Sequence, residues 1–218
     1  MVQEPKLDSN PALQFLLHDY SKYHWVLVIL GSISLLALTF IVKKYWKIFR
    51  SIDESIGKIA ALFIASFSAL IFSFMSLIVF GNFLNAIKPQ RGFSEAIIAL
   101  ENNASSSKSG RLFDTYNAWV ASGNSKIPPY LENIVDERLS WQLPKAIICS
   151  ILFALLFIAT KRLWNYVISK PSFHSKKKQK ALLLSGVCLS IITTVLWIMA
   201  IANTQASIAP VTLSLLFS

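Results

Sequence analysis

The chain has 218 residues and a formal charge of +10, yet it is 54% hydrophobic and only 15% charged. An average soluble domain is about a quarter charged. The apolar residues also gather into long uncharged blocks, whereas a soluble core needs apolar faces, so an ordinary soluble fold is excluded.

In chain order, residues 1–24 carry Glu4, Asp8 and Asp19 and read as an extracytoplasmic N-terminal tail without a transit-peptide pattern. The first apolar block runs from Trp25 to Val42, ahead of Lys43 and Lys44. It is long for a signal-peptide core and its basic residues follow it, so no cleavable signal peptide is expected. The second block runs from Ile59 to Ile87, the third lies between Lys145 and Lys161, and the fourth runs from Ala181 to about Ala202. A helix needs roughly 20 residues to cross a ~30 Å hydrocarbon layer. The third block has 15 uncharged residues, which Trp141, Leu143 and a snorkelling Lys145 extend. Period-two alternation is absent, so helices and not barrel strands are expected. The fold class is therefore all-α: a polytopic membrane protein with four transmembrane helices, arranged as two hairpins with a small helical cap.

The charge fixes a topology. The loop after the first span carries Lys43, Lys44, Lys47, Arg50 and Lys58 with Asp53 and Glu54. The loop after the third carries Lys161, Arg162, Lys170, Lys176, Lys177, Lys178 and Lys180 with no acid. Together they hold twelve basic and two acidic residues, so the whole excess of +10 lies on one face. The positive-inside rule puts that face in the cytoplasm, with both termini and the long 88–144 loop on the other side of a cell membrane. Trp25, Trp46, Trp141, Trp164 and Trp197 fall near span ends, as an interfacial aromatic belt requires. The expected organisation is a tail over 1–24, a hairpin over 25–87, an outer helical loop over 88–144, a second hairpin over 145–203 and an apolar tail over 204–218.

The second span holds the clearest packing signal. Gly57, Ala61, Ala65, Ala69 and Ser73 recur every four residues, which lines them along one helix face. Small residues let another helix approach closely, either within the chain's own bundle or from a second subunit. The basic residues Lys161, Arg162, Lys176, Lys177, Lys178 and Lys180 mark the inner boundary and are candidate contacts for anionic lipid headgroups. A repeated basic-plus-Trp end, Lys43-Lys44-Tyr45-Trp46 and Lys161-Arg162-Leu163-Trp164, hints at duplication, but the membrane selects that pattern at an inner boundary anyway.

In the outer loop, residues 94–101 read as a short helix and Asn102–Gly110 as a break. Residues 111–121 put Leu112, Phe113, Tyr116, Trp119 and Val120 on one face, and Gly123 is a fitting stop. Pro128-Pro129 opens another helix carrying Leu131, Ile134, Val135 and Leu139, which runs nearly to Pro144. Phe113, Tyr116, Trp119, Leu131 and Ile134 form a candidate outer partner surface. The stretch Ile208–Phe217 is apolar, contains Pro210 and is too short to span, so it is expected at the interface or on a neighbouring chain. Asn103-Ala104-Ser105 matches the glycosylation triplet.

Reaction chemistry is sparse. No Asp, Glu, Lys, Arg or His lies at the centre of a span, which weighs against proton-coupled transport. The polar span positions are Asn82, Asn85, Thr193 and Thr194, read as interhelical hydrogen-bonding groups or as a pore lining. His18, His24 and His174 lie outside the spans, the first two read as surface or interfacial side chains, so no haem or zinc arrangement is expected. Cys149 and Cys188 differ in depth by roughly 10–15 Å, too far for a disulfide. The outer acids Glu95, Glu101, Asp114, Glu132, Asp136 and Glu137 read as solvated helix faces and not as a paired acid–base site. With seven glycines there is no GxGxxG or P-loop, and the short basic loops do not suit nucleic acid. No catalytic residue, cofactor or metal is expected. The reading is a non-catalytic accessory, assembly or structural subunit of a membrane complex, in contact with membrane lipids and other membrane subunits. A passive channel or transporter component and a membrane immunity or inhibitor protein are the alternatives.

Overall fold

A computed structural model describes residues 10–53, 55–102, 107–169 and 175–216. The glycosylation triplet at Asn103, the loop residues Lys170 and His174, and Glu54 lie outside the described residues. Seven helices and no strand make up the described chain: α1 (Pro11–Ser51), α2 (Ser55–Ile87), α3 (Pro89–Asn102), α4 (Ser107–Ser122), α5 (Pro129–Ser169), α6 (Lys176–Ile208) and α7 (Pro210–Leu216). Four of them, α1, α2, α5 and α6, are long and apolar enough to cross a membrane. Their apolar side chains face outward, Phe40 at 72% and Leu77 at 73% exposure, an arrangement that hydrocarbon stabilises and water does not. The chain is an all-α, multi-pass membrane protein.

Proline sets four of the helix starts. Pro11, Pro89, Pro129 and Pro210 each stand at the first helical position, where the missing N–H is one the helix could not pair in any case. Asn10 caps α1: its Oδ1 accepts from Leu13 N at 3.1 Å, while its Nδ2 donates to Val120 O at 2.7 Å. Gly123, at φ +64°, ends α4 with its N–H on Val120 O at 3.1 Å. Proline does not end α5. The helix runs unbroken through Pro144, so the expected outer helix and the third span are one element. A single missing N–H costs one ladder bond, and the flanking turns hold the helix together.

The chain divides into two compact units. The first comprises residues 1–28, 80–145 and 203–218. Its core joins Ala12, Leu16 and Tyr20 of α1 to Phe93 and Leu100 of α3, Leu112, Tyr116 and Trp119 of α4, Leu131 and Val135 of α5, and Val211 and Leu215 of α7. Two expectations are corrected here. Much of the N-terminal tail is helix, because Ala12, Leu16 and Tyr20 recur every four residues and are buried. The C-terminal stretch is α7, which packs into the chain's own core, with Thr212 and Ser214 buried as well.

A carboxylate holds α7 in place. Asp19 Oδ2 accepts from Thr212 N at 2.7 Å and from Thr212 Oγ1 at 2.8 Å. Thr212 lies in the first turn of α7, so a side chain from α1 serves as its remote cap. Arg138 Nη1 donates to Leu213 O at 3.0 Å, one of the last four carbonyls of α7, and Gln205 Nε2 donates to Tyr23 O at 2.9 Å.

The second unit comprises residues 29–79 and 146–202. Its core contains Tyr45, Ala60, Ala61, Ile64, Ala65, Trp164 and Val167. Cys149 is buried, Cys188 is exposed, and both are free thiols.

Asp19→Ala removes the acceptor for two buried donors, and each loss costs about 1–3 kcal/mol. Limited proteolysis of this variant is expected to release the C-terminal residues quickly. Asp19→Asn, which keeps a side-chain oxygen, is expected to stay close to wild type. Equal resistance of wild type and Asp19→Ala would show that α7 is held without the Asp19 carboxylate.

Candidate functional site

In the second unit, small residues decide where helices meet. Gly57, Ala61 and Ala65 are buried in the packing of this chain, a Cβ at Gly57 lying 3.4 Å from Ile168 O of α5. Farther along the same stripe, Ala69 is half-buried and Ser73 is exposed. The stripe is therefore used by the chain's own bundle at one end and left open at the other.

Gly186 on α6 admits Trp164 of α5. A Cβ at Gly186 would stand 2.8 Å from Trp164 Cζ2, closer than carbon atoms approach without repulsion. The indole Nε1 donates to Ser190 Oγ at 2.9 Å, and Ser190 Oγ donates to Gly186 O at 2.8 Å. Trp164, at 3% exposure, is thus packed inside the bundle and does not face outward. Its N–H finds a partner inside the bundle, which removes the need for headgroup water.

Beside this contact lies a half-open cavity of 540 Å³ with walls from α1, α2, α5 and α6. Phe63, Ile64, Phe67, Phe153 and Phe157 make it predominantly apolar. Ser68, Thr160, Ser190, Thr193 and Thr194 add hydroxyls, and Lys44 and Lys161 stand in its lining. Thr160 Oγ1 lies 3.0 Å from Thr193 Oγ1, and the two hydroxyls also contact Leu156 O and Leu189 O, each at 2.7 Å. Two protons cannot serve three such contacts at once, so one contact lacks its proton at any moment. Thr194 bonds its own-helix carbonyl at Ser190 O, 2.9 Å away.

The other expected positions fall elsewhere. Asn82 Oδ1 lies 2.6 Å from His24 Nδ1 in the first unit, so that nitrogen is the donor. His24, expected as a surface or interfacial side chain, is buried and so is not a surface group, with Tyr20 packed edge-on at 4.4 Å between ring centroids. Its Nε2 has no hydrogen-bond partner among the described residues. Asn85 lies near Gly92, where a Cβ would meet Asn85 Oδ1 at 2.8 Å. Of the four polar span positions, only Thr193 and Thr194 line the cavity.

Tyr116, Trp119 and Leu131, expected on an outer surface, lie in the first unit's core, with Phe113 and Ile134 packed against it. Burial pushes the Tyr116 phenol above its usual value, which keeps it neutral. Glu95, Glu101, Asp114, Glu132, Asp136 and Glu137 all sit exposed, and Glu95 pairs with Arg91 at 3.3 Å. Lys161, Arg162, Lys176, Lys177, Lys178 and Lys180 are exposed, and only Lys161 among them lines the cavity. No family model matches the chain, and no curated protein or solved structure matches it.

The sequence reading noted Thr193 and Thr194 but missed Thr160, Lys44 and the phenylalanine wall. The available signal was Thr160 beside Lys161 at the end of an apolar block, facing a polar pair on the next span.

Gly186→Ala is expected to lower resistance to unfolding in mixed detergent by about 1–3 kcal/mol, the usual range for overpacking. Trp164→Phe leaves Ser190 its own-helix carbonyl and should cost less. Unchanged unfolding of Gly186→Ala would mean that the α5–α6 approach does not limit stability.

Proposed function

We propose that this chain is a non-catalytic membrane subunit whose second unit holds a lipid-like amphiphile within the bilayer. One observation carries the reading: a 540 Å³ cavity, mostly apolar, with a few hydroxyls and two lysines in its wall. Small-molecule sites have this composition, and their volumes run about 300–1,000 Å³. The positive-inside rule supports a cell-membrane orientation with the basic loops in the cytoplasm and both termini outside. The protein purified in mild detergent is expected to carry about one lipid or apolar molecule per chain. Ala37 lines the cavity and is exposed, so Ala37→Phe fills space without displacing a buried neighbour. Mass spectrometry of Ala37→Phe should show that molecule reduced to background. Equal retention by the variant would place the molecule outside the cavity.

A second reading has its own support. Ala69 and Ser73 continue a small-residue stripe whose other members are already packed, and close helix approach is a main source of association in lipid. This favours an accessory or assembly subunit that docks another membrane chain on α2; an immunity or inhibitor protein is one form of it. Native mass spectrometry from lipid-preserving polymer should then show a stoichiometric partner chain that Ser73→Phe removes. Wild-type protein emerging alone would count against the docking reading and leave the cavity reading standing. A pore has less support, because of the four polar span positions only Thr193 and Thr194 line the cavity.

A further inference from the structure

We infer that the cavity of the second unit selects an anionic membrane lipid, one acyl chain lying along the phenylalanine wall and the headgroup between Lys44 and Lys161. The inference rests on the amphiphile-binding reading and adds the occupant's charge and direction.

Length comes first. The lining on α1 extends from Ile33 to Lys44, about 16 Å along a helix that rises 1.5 Å per residue. Half of a ~30 Å hydrocarbon layer is about 15 Å. The cavity therefore runs the depth of one leaflet, which suits a single chain that begins at a headgroup and ends near the midplane.

Polarity gives the direction. Lys44 and Lys161 come from different helices, α1 and α5, and both stand at the boundary where an apolar block gives way to a basic loop. Both are exposed, and neither makes an ion pair among the described residues. Among the described residues no carboxylate lines the cavity, and the sequence of the second unit has acidic residues only at Asp53 and Glu54. Thr160 precedes Lys161 by one residue, and its hydroxyl contacts both Leu156 O and Thr193 Oγ1. Lipid ester oxygens only accept hydrogen bonds, so this hydroxyl pair, whose two protons already face three contacts, adds no free donor, and the lysines alone set the direction. Toward Ile33 and Ile71 the wall is mainly apolar and carries no charge. A headgroup placed there would lose its hydration without a compensating partner, so only one orientation satisfies both ends.

The test uses full-length protein reconstituted in vesicles of equal phosphatidylcholine and phosphatidylglycerol, then released for native mass spectrometry. Wild type should retain one phosphatidylglycerol in preference to phosphatidylcholine. Each lysine near an anionic headgroup is expected to contribute about fivefold, so Lys44→Ala with Lys161→Ala should reduce the preference about 25-fold on the same scale. Lys43→Ala with Lys47→Ala removes equal charge from exposed positions on the same basic boundary but outside the cavity, and should leave the preference unchanged. An equal drop in both double variants would overturn the inference in favour of general surface charge. Retention of either lipid alike by wild type would overturn the charge selection and leave the amphiphile reading intact. Retention of neither would remove both. Lys44→Gln with Lys161→Gln, which keeps most of the side-chain length and its polarity without the charge, guards against loss through misfolding and should reproduce the alanine result.

Discussion

Hydrocarbon offers the peptide backbone no hydrogen-bond partner, and the four long helices answer that constraint. Each pairs its own N–H and C=O groups, so the chain can put phenylalanine, leucine and isoleucine outward where a soluble protein would hide them. Association between the helices must then come from other sources. Here it comes from close approach at glycine and alanine, as at Gly57 and Gly186, and from hydrogen bonds that have no competing water, as between Trp164 and Ser190. Such a bond contributes about 0.6 kcal/mol on average in membranes and up to about 1.7. The shape complementarity that surrounds it therefore matters at least as much as the bond itself.

The first unit solves a different problem. Its helices α3, α4 and α7 are short, and α7 has only seven residues. A helix of that length is marginal alone. It persists because distant groups complete both of its ends: Asp19 accepts from Thr212 at one end and Arg138 donates to Leu213 O at the other. Apolar burial supplies the bulk of the stabilisation through Val211 and Leu215. The polar caps fix where along α1 and α5 the short helix settles, because a shift of one residue would leave buried donors unpaired.

The spans were legible in the sequence because lipid selects long uncharged blocks, and that selection acts on composition more than on partners. The ends of α1 and α6 were not legible for the complementary reason. Asp19 looks like a solvated charge until Thr212, 193 positions away, is placed against it, and His24 looks like a surface side chain until Asn82 is. Proline was the other source of error. Pro144 and Pro210 both carry a breaking signal, yet Pro144 sits inside α5 and Pro210 opens α7. A proline reports one absent N–H; whether the chain turns there depends on which carbonyl loses its partner and what packs nearby.

The small-residue stripe shows the same limit at the level of function. Period-four spacing on α2 announced a face for close approach, but it could not say what approaches. Gly57, Ala61 and Ala65 turn out to be covered by the chain itself, and only the Ala69–Ser73 end stays open. The cavity is harder still to read in one dimension. Its lysines lie 117 positions apart, and its phenylalanines come from two separate hairpins. No motif links them, because the constraint that joins them is depth in the membrane. Residues near the end of one apolar block share a level with residues near the end of another, whatever their distance along the chain. In a multi-pass protein, then, a ligand site is better sought by aligning the spans at their basic boundaries than by scanning for spacing. Applied here, that alignment sets Lys44 beside Lys161, the pair on which charge selection by the cavity rests, whereas Thr193, thirteen residues past Lys180, meets Thr160 only through the packing of α6 on α5.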